Sequence, residues 1–406
     1  MQKKNKKIIL ITTGQPSGNP RIVKEADALF NAGYEVVLLY CYFIDWAHEK
    51  DKELLSKVGW SYKLIGGTPT HNKLRFNFTR ARFKIARILS KYLGNRFCIG
   101  ERAQARAYDE LLNAAKKIKA DWYIGHNLGA LSIAAKAAKL NNSKAGFDFE
   151  DYHRAEVELE DKDILKRTIY IEDKYVSMLH YFSAASDLIL DAVKENHPKF
   201  AFNTIVLYNS FPLSLLSDNG KIIKEDSLKL FWFSQTIGLN RGLEIIIEAL
   251  KLIKDKNIHL TLAGRCDENF KNYIEEHAAF LKNNIHFSGI ISPNELPTFA
   301  AQFDVGLAVE LSTPYNRDIC LTNKIFTYLL AGNAIIFSGT AAQAKFNAEN
   351  KTGIIYSQNN LEQLVQCINY FKNKENLEKQ KKINKNLAAS TFNWEMESEK
   401  LLKLIS

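Results

Sequence analysis

Two short stretches bring together residue types that could do chemistry. The first is LTNKIFTYLLAGNAII, residues 321–336. Thr322 or Asn323 can cap a helix start, and Gly332 stands where a helix commonly ends on positive φ. Capping leaves Lys324 unexplained. A cation in a first helical turn opposes the helix dipole, so a negative group is expected beside it, and a phosphate suits that place. Glu310, which closes the run DVGLAVE, is a candidate for hydroxyl groups of the same ligand. The second stretch is FDFEDYHRAE, residues 147–156. It gathers Asp148, Glu150, Asp151, His153, Arg154 and Glu156, and a histidine beside carboxylates can transfer protons near neutral pH. The rival reading is a solvated surface charge cluster. No His-x-x-x-His or Asp-x-Asp spacing is present, so a metal is not required by this chemistry.

A third stretch carries charge rather than reactive groups. Residues 54–100 hold ten Lys or Arg and no Asp or Glu, which accounts for the whole net charge of +10. At helical spacing Arg80, Lys84, Arg87 and Lys91 share one face, while Phe78, Ala81, Ile85, Ile88, Leu89 and Tyr92 take the opposite side. One reading is an amphipathic helix that buries its apolar side on its own domain and leaves a solvated basic face. The other is docking on an anionic membrane surface, or capture of an acidic acceptor. No nucleic-acid motif accompanies the segment, so nucleic acid is not an expected partner.

The elements that must position these residues follow from length and pattern. A chain of 406 residues exceeds one ordinary core, so two domains are expected, and 46% hydrophobic with 25% charged residues describes a soluble globular protein. The N-terminus is basic and then apolar for about seven residues, which reads as a first strand rather than a signal peptide. Five scattered cysteines without a Cys-x-x-Cys pair fit a reducing, cytoplasmic setting.

Strand-like runs fall at 7–13, 34–42, 121–125, 144–150 and 204–209, then at 228–234, 258–264, 284–290, 304–310, 334–338 and 352–357. Helical stretches alternate with them, which predicts parallel sheets wrapped on both faces. Residues 20–33 start a helix on proline and end it on glycine. Ser292-Pro293-Asn294-Glu295 reads as a capping box that starts another. Periodicity fails near 210–227. Three segments are therefore expected: 1–212, 213–390 and a C-terminal amphipathic helix at 391–406. Ligands in such sheets sit beyond the carboxyl ends of the strands.

Taken together, the segments GQPSGNPRIVKEADALFNAGYEVVLL, GHNLGALSIAAKAAK, TIVLYNSFP, LFWFSQTIGLNRGLEIIIEAL and NKIFTYLLAGNAII resemble the GT-B glycosyltransferases, specifically the retaining family four of nucleotide-sugar-dependent enzymes. The resemblance implies an α/β fold of two Rossmann-like domains facing each other across a cleft. It departs at Thr327, where the family usually has a glutamate on the ribose, at Ser234-Gln235 in place of Gly-Arg, and at Arg241-Gly242 in place of Lys-Gly. On this reading the donor is held by Gly14, Arg21, Gln235, Arg241, Arg265, Glu310, Asn323, Lys324 and Thr327. His126, Asp151 and His153 are the catalytic candidates, with His126 expected on a sugar hydroxyl. The implied activity moves a sugar from a nucleoside diphosphate donor to a glycan or lipid-linked acceptor at the inner membrane face, without a cofactor. A sugar-nucleotide 2-epimerase and a silent binding protein of the same fold are the alternatives.

Overall fold

The computed structural model describes residues 6–156, 161–199, 203–215 and 227–406. Most of the linker read over 210–227 lies outside them. The chain divides into two compact units, one running to Leu207 and taking in Lys400–Ser406, the other spanning Tyr208–Glu399. The boundary falls at 207 rather than 212.

The N-terminal unit is built on seven parallel strands: β1 (Lys7–Thr12), β2 (Glu35–Cys41), β3 (Ser61–Ile65), β4 (Trp122–His126), β5 (Lys144–Phe149), β6 (Tyr181–Ala184) and β7 (Asn203–Val206). Their order is β3-β2-β1-β4-β5-β6-β7, so the winding reverses between β1 and β4. β3 and β6 escape the sequence reading. β3 is an edge strand with three exposed residues in five, and β6 is only four residues long. Helix α1 (Pro20–Asn31) starts on proline, and the Asn19 side chain accepts from Ile22 N at 3.2 Å. Helix α2 (Lys73–Leu93) is the long basic one. Helix α3 (Leu128–Leu140) is rich in alanine, and nearly every residue of it is buried, which small side chains permit where a helix is covered on all sides.

The C-terminal unit repeats the plan with six parallel strands: β8 (Leu228–Ile237), β9 (Ile258–Cys266), β10 (Ile285–Gly289), β11 (Val305–Ala308), β12 (Ala334–Phe337) and β13 (Gly353–Ile355). The order β10-β9-β8-β11-β12-β13 reverses between β8 and β11. All six were legible as strands. Helices α4 (Leu243–Ile253) and α5 (Asn323–Ala331) start at the carboxyl ends of strands. The capping box at 292–295 forms a turn, and the helix there begins only at Leu296 and lasts five residues. Proline at its second position and this short span leave the box outside the helix.

Helix α6 (Trp394–Ile405) is not a separate segment. Its start belongs to the C-terminal unit, where Trp394 N donates to Phe211 O at 3.0 Å. Its end, Leu401 and Ile405, joins the N-terminal core beside Ile8, Ile124 and Trp122, whose indole donates to Ile405 O at 3.3 Å. No helix among the described residues is long and apolar enough to cross a membrane.

Candidate functional site

In the C-terminal unit a cavity of about 310 Å³ opens at the reversal between β8 and β11. Asn240, Gly242, Glu244 and Ile245 line one side, Val309, Glu310 and Leu311 another, and Ser338, Tyr356, Gln358 and Asn359 the rest. This is where a doubly wound sheet binds ligands. Gly242 has φ +76°, and a Cβ there would meet Val309 Cγ1 at 2.5 Å, so only glycine lets the chain enter α4 at this place. The start of α4 thus opens onto the cavity. Glu244 folds back to accept from Asn240 N at 2.6 Å.

Lys324 has its negative partner. Its ammonium lies 2.6 Å from Glu310 Oε1, which also accepts from the Thr322 hydroxyl at 3.1 Å. The Lys324 head sits 5.4 Å from the centre of the buried Trp232 ring. Glu310 is held in turn through its backbone. Its N–H donates to Ser338 Oγ at 2.8 Å, and its carbonyl accepts from Ser338 at 2.7 Å and from Gln358 Nε2 at 3.2 Å. Lys324 is buried in this pair, so it fixes Glu310 rather than standing open to a ligand.

The other donor candidates divide. Arg241 is exposed between two lining residues, its guanidinium 3.3 Å from Ser234 Oγ. Gln235 is exposed in an irregularity where the β8 register shifts against β9, and Arg265 is exposed on the paired strand. Asn323 is exposed at the first position of α5. Thr327 is fully buried and donates to Asn323 O at 3.0 Å, so it does not face the cavity as expected of a ribose contact. Sequence reasoning missed Ser338, Gln358 and Asn359, which follow β12 and β13. Their position at strand ends was the available signal.

In the N-terminal unit four strands bring a polar row into register. Thr12 on β1 pairs with His126 on β4, His126 with Asp148 on β5, and Asp148 with Ser183 on β6. All four are buried. From α1, Arg21 grips both Asp148 oxygens at 2.5 and 2.8 Å and donates to Leu207 O at 2.6 Å. One turn on, Glu25 Oε2 lies 2.8 Å from His126 Nε2, too poorly aligned for a hydrogen bond and therefore a contact of charges. Burial pushes the His126 pKa down, but Glu25 and Asp148 outweigh it and hold it above the ordinary value. Burial likewise disfavours the Asp148 carboxylate, yet Arg21 holds its pKa below normal.

This cluster corrects two expectations. Arg21 cannot reach a phosphate, because its guanidinium is sealed against Asp148. His126 cannot meet a sugar hydroxyl, because it is enclosed between two carboxylates. Gly14 also differs from a loose loop residue. It accepts from Cys41 N at 3.0 Å, and the next residue, Gln15, bonds Phe43 N, Ile44 N and Asp51, which anchors the turn.

A second cavity, of about 170 Å³, lies at the reversal between β1 and β4. Thr13, Asn127, Glu150, Asp151, His153 and Glu156 line it, with the start of α3 and Gln104. Asn127 is fixed by Thr13 and Thr12 at 2.7 Å each. The buried His153 lies 3.1 Å from Glu156 through Nδ1 and packs against Phe147 and Phe149. Burial lowers its pKa, and Glu156 together with Glu172 and Asp151 more than reverses this. Burial also holds the Glu150 carboxyl above its usual range, against the charge of Arg21. Asp151 and His153 therefore come together with Glu150, which the sequence reading named in its charge cluster but gave no role.

The family described as Glycosyl transferases group 1 matches residues 228–373. No match was found among curated protein sequences. Solved structures match over nearly the full length. HepE of Anabaena in complex with UDP and glucose is 14% identical, with a TM-score of 0.68 over 98% of each chain. Sucrose-phosphate synthase from Thermosynechococcus elongatus is 12% identical, with a TM-score of 0.72 over 98% of each chain. WaaG, a glycosyltransferase involved in lipopolysaccharide biosynthesis, is 13% identical, with a TM-score of 0.66 over 98% of this chain and 99% of that one. At these identities the structural likeness is one of fold, and every residue lining the 310 Å³ cavity falls within the matched segment. The chain has the GT-B fold of these solved glycosyltransferase structures, and its residues 228–373 match the family described as Glycosyl transferases group 1.

Proposed function

We propose that the protein moves a hexosyl group, with retention, from a nucleoside diphosphate sugar to a hydroxyl of a glycan or lipid-linked acceptor at the cytoplasmic face of a membrane. The observation that carries the donor half is the cavity at the β8/β11 reversal, where the start of α4 and Arg241 can meet a diphosphate. Arg241 and the α4 amides stabilise charge that grows on the leaving diphosphate, so the reaction is written without a metal. Glu310, oriented by Lys324, offers its remaining carboxylate capacity to sugar or ribose hydroxyls. UDP, glucose and UDP-glucose are bound by the Anabaena relative, which supports this donor class.

The acceptor half rests on the N-terminal cavity. Its Glu150, Asp151 and Glu156 carboxylates are hydrogen-bond acceptors suited to hydroxyl groups, and Glu150 with its raised pKa, beside Asp151 and His153, can take up the acceptor proton. The test is incubation with a panel of nucleotide sugars, followed by NMR of each donor with and without acceptor. Diphosphate release and a raised Tm with one nucleoside diphosphate are expected. Epimerised donor in the absence of acceptor would replace transfer by epimerisation. No stabilisation by any nucleoside diphosphate would remove the donor assignment.

A further inference from the structure

The side of α2 that packs on the N-terminal unit is not its apolar side. Phe76, Thr79 and Ala86 are buried, with Phe83 half-buried between them. At 100° per residue these lie roughly opposite Leu74, Phe78, Ile85, Ile88, Leu89 and Tyr92. All six of the latter are exposed, from 37% for Leu89 to 82% for Tyr92 and 88% for Leu74. Soluble proteins seldom leave so long an apolar ridge open without a partner. It spans about 27 Å at 1.5 Å per residue.

Arg80, Lys84, Arg87 and Lys91 run along one flank of this ridge. Among the described residues Lys91 pairs with Asp163 at 3.7 Å, while Arg80 and Arg87 lie over the Phe76 and Phe83 rings. A second element packs on the buried side of α2 near its start. Tyr42 packs edge-on against Phe76 at 5.6 Å, and Arg106 ties both pieces together through Tyr42 O at 3.1 Å and Thr79 Oγ1 at 2.6 Å. Directly after Tyr42, Phe43 and Trp46 are exposed. Aromatic side chains of this kind settle at the level of lipid headgroups.

We propose that α2 is an in-plane membrane anchor whose apolar ridge inserts into an anionic bilayer while its basic flank stays at the headgroups. This deepens the membrane placement proposed above and is independent of the donor chemistry. Charge complementarity selects the occupant. A segment with ten cations and no carboxylate suits a surface of uniform negative charge, whereas a protein partner presents both signs. Long basic side chains beside an apolar ridge can bury their stems and keep their charges at the polar boundary. The earlier reading, in which the apolar side packs on its own domain, is thereby replaced: that side faces outward.

The experiment is flotation of the full chain with phosphatidylcholine–phosphatidylserine vesicles at about 0.1 M and about 1 M salt, where the screening length falls from about 10 Å to about 3 Å. The wild type should float at both. Ile85→Ser with Ile88→Ser should lower the bound-to-free ratio at least about tenfold, since each removes buried apolar area. These positions face solvent, so the melting temperature should not move. Transfer to a soluble acceptor, measured on the same proteins, should also be unchanged. Equal flotation of wild type and variant, lost at high salt, would show contact by charge alone and overturn insertion. A wild type that ignores vesicles but forms a dimer broken by the same substitutions would assign the ridge to a protein interface instead. Absence of transfer with flotation intact would sink the proposed function and leave the anchor standing.

Discussion

Each unit sets a cation from the first turn of a helix against a carboxylate at the carboxyl end of a parallel strand. In the N-terminal unit Arg21 of α1 meets Asp148 of β5, and the two side chains are 2% and 1% exposed. In the C-terminal unit Lys324 of α5 meets Glu310, just past β11, at 10% and 17%. The first pair is closed on every side by Ser183, Leu207 and the His126–Glu25 contact. The second stands at the wall of a cavity, with Glu310 lining it. The same residue types are therefore structural where packing excludes a ligand and available for binding where one carboxylate keeps access to space. What separates them is the depth of burial, not the identity of the charges.

Removing the cation from each pair should separate the two roles. Arg21→Ala leaves Asp148 buried without its bidentate partner, and loss of one member of a buried pair costs about 3–5 kcal/mol. Urea unfolding should show that loss, and Arg21→Lys should recover little of it, because an ammonium cannot reproduce the fork. An Arg21→Ala protein as stable as wild type would mean that the cluster does not hold the unit together.

Lys324→Ala should act first on function. Glu310 would lose its orienting contact, and turnover should fall at least about tenfold, equal to about 1.4 kcal/mol of transition-state stabilisation. The loss of stability should be smaller than for Arg21→Ala. Thr327→Val is the control, since that hydroxyl bonds only to Asn323 O among the described contacts, and nucleotide affinity should not change. If titration calorimetry shows Thr327→Val weakening nucleotide binding while Lys324→Ala does not, the site is drawn on the wrong side of α5.

The smallest effect is a pH dependence that centres on the histidines of the N-terminal unit. The folded-state pKa of His126 is raised above its ordinary value of 6.5, so the folded protein binds the extra proton more tightly than the unfolded chain. That stabilisation is complete below the unfolded value and is lost as pH rises through the folded one. His153 is shifted in the same direction. Unfolding free energy should therefore decline above about pH 6.5, with a slope of at most about 1.4 kcal/mol per pH unit for each proton. His126→Gln should flatten part of the decline. An unchanged slope in that variant would show that His126 is neutral in the folded state.

Periodicity was enough for most of the scaffold. Strand-like runs marked all six strands of the C-terminal sheet: β11 and β12 are buried throughout and β8 and β9 largely so, while the edge strand β10 is mostly exposed and was still legible from its apolar start. Two strands of the N-terminal sheet were not legible. β3 keeps most of its residues in water, and β6 carries only Tyr-Phe-Ser-Ala, so neither offers a run long enough to stand out. Glu310 was found because it ends a strand beside Lys324. Gln358 and Asn359 were not, because a loop residue's approach to a cavity depends on where its strand sits in the sheet.

The sequence by itself determined the α/β plan, the carboxyl-end placement of candidate chemistry and the requirement that Lys324 have an anionic partner. These follow from local rules: side-chain period, capping and the helix dipole. Only the tertiary structure decided that the partner is Glu310, that Arg21 and His126 are sealed from any substrate, and that the apolar side of α2 faces outward. Each of those depends on residues distant in sequence. Arg21 meets a carboxylate 127 positions away, and no local pattern reports which charges a fold will enclose.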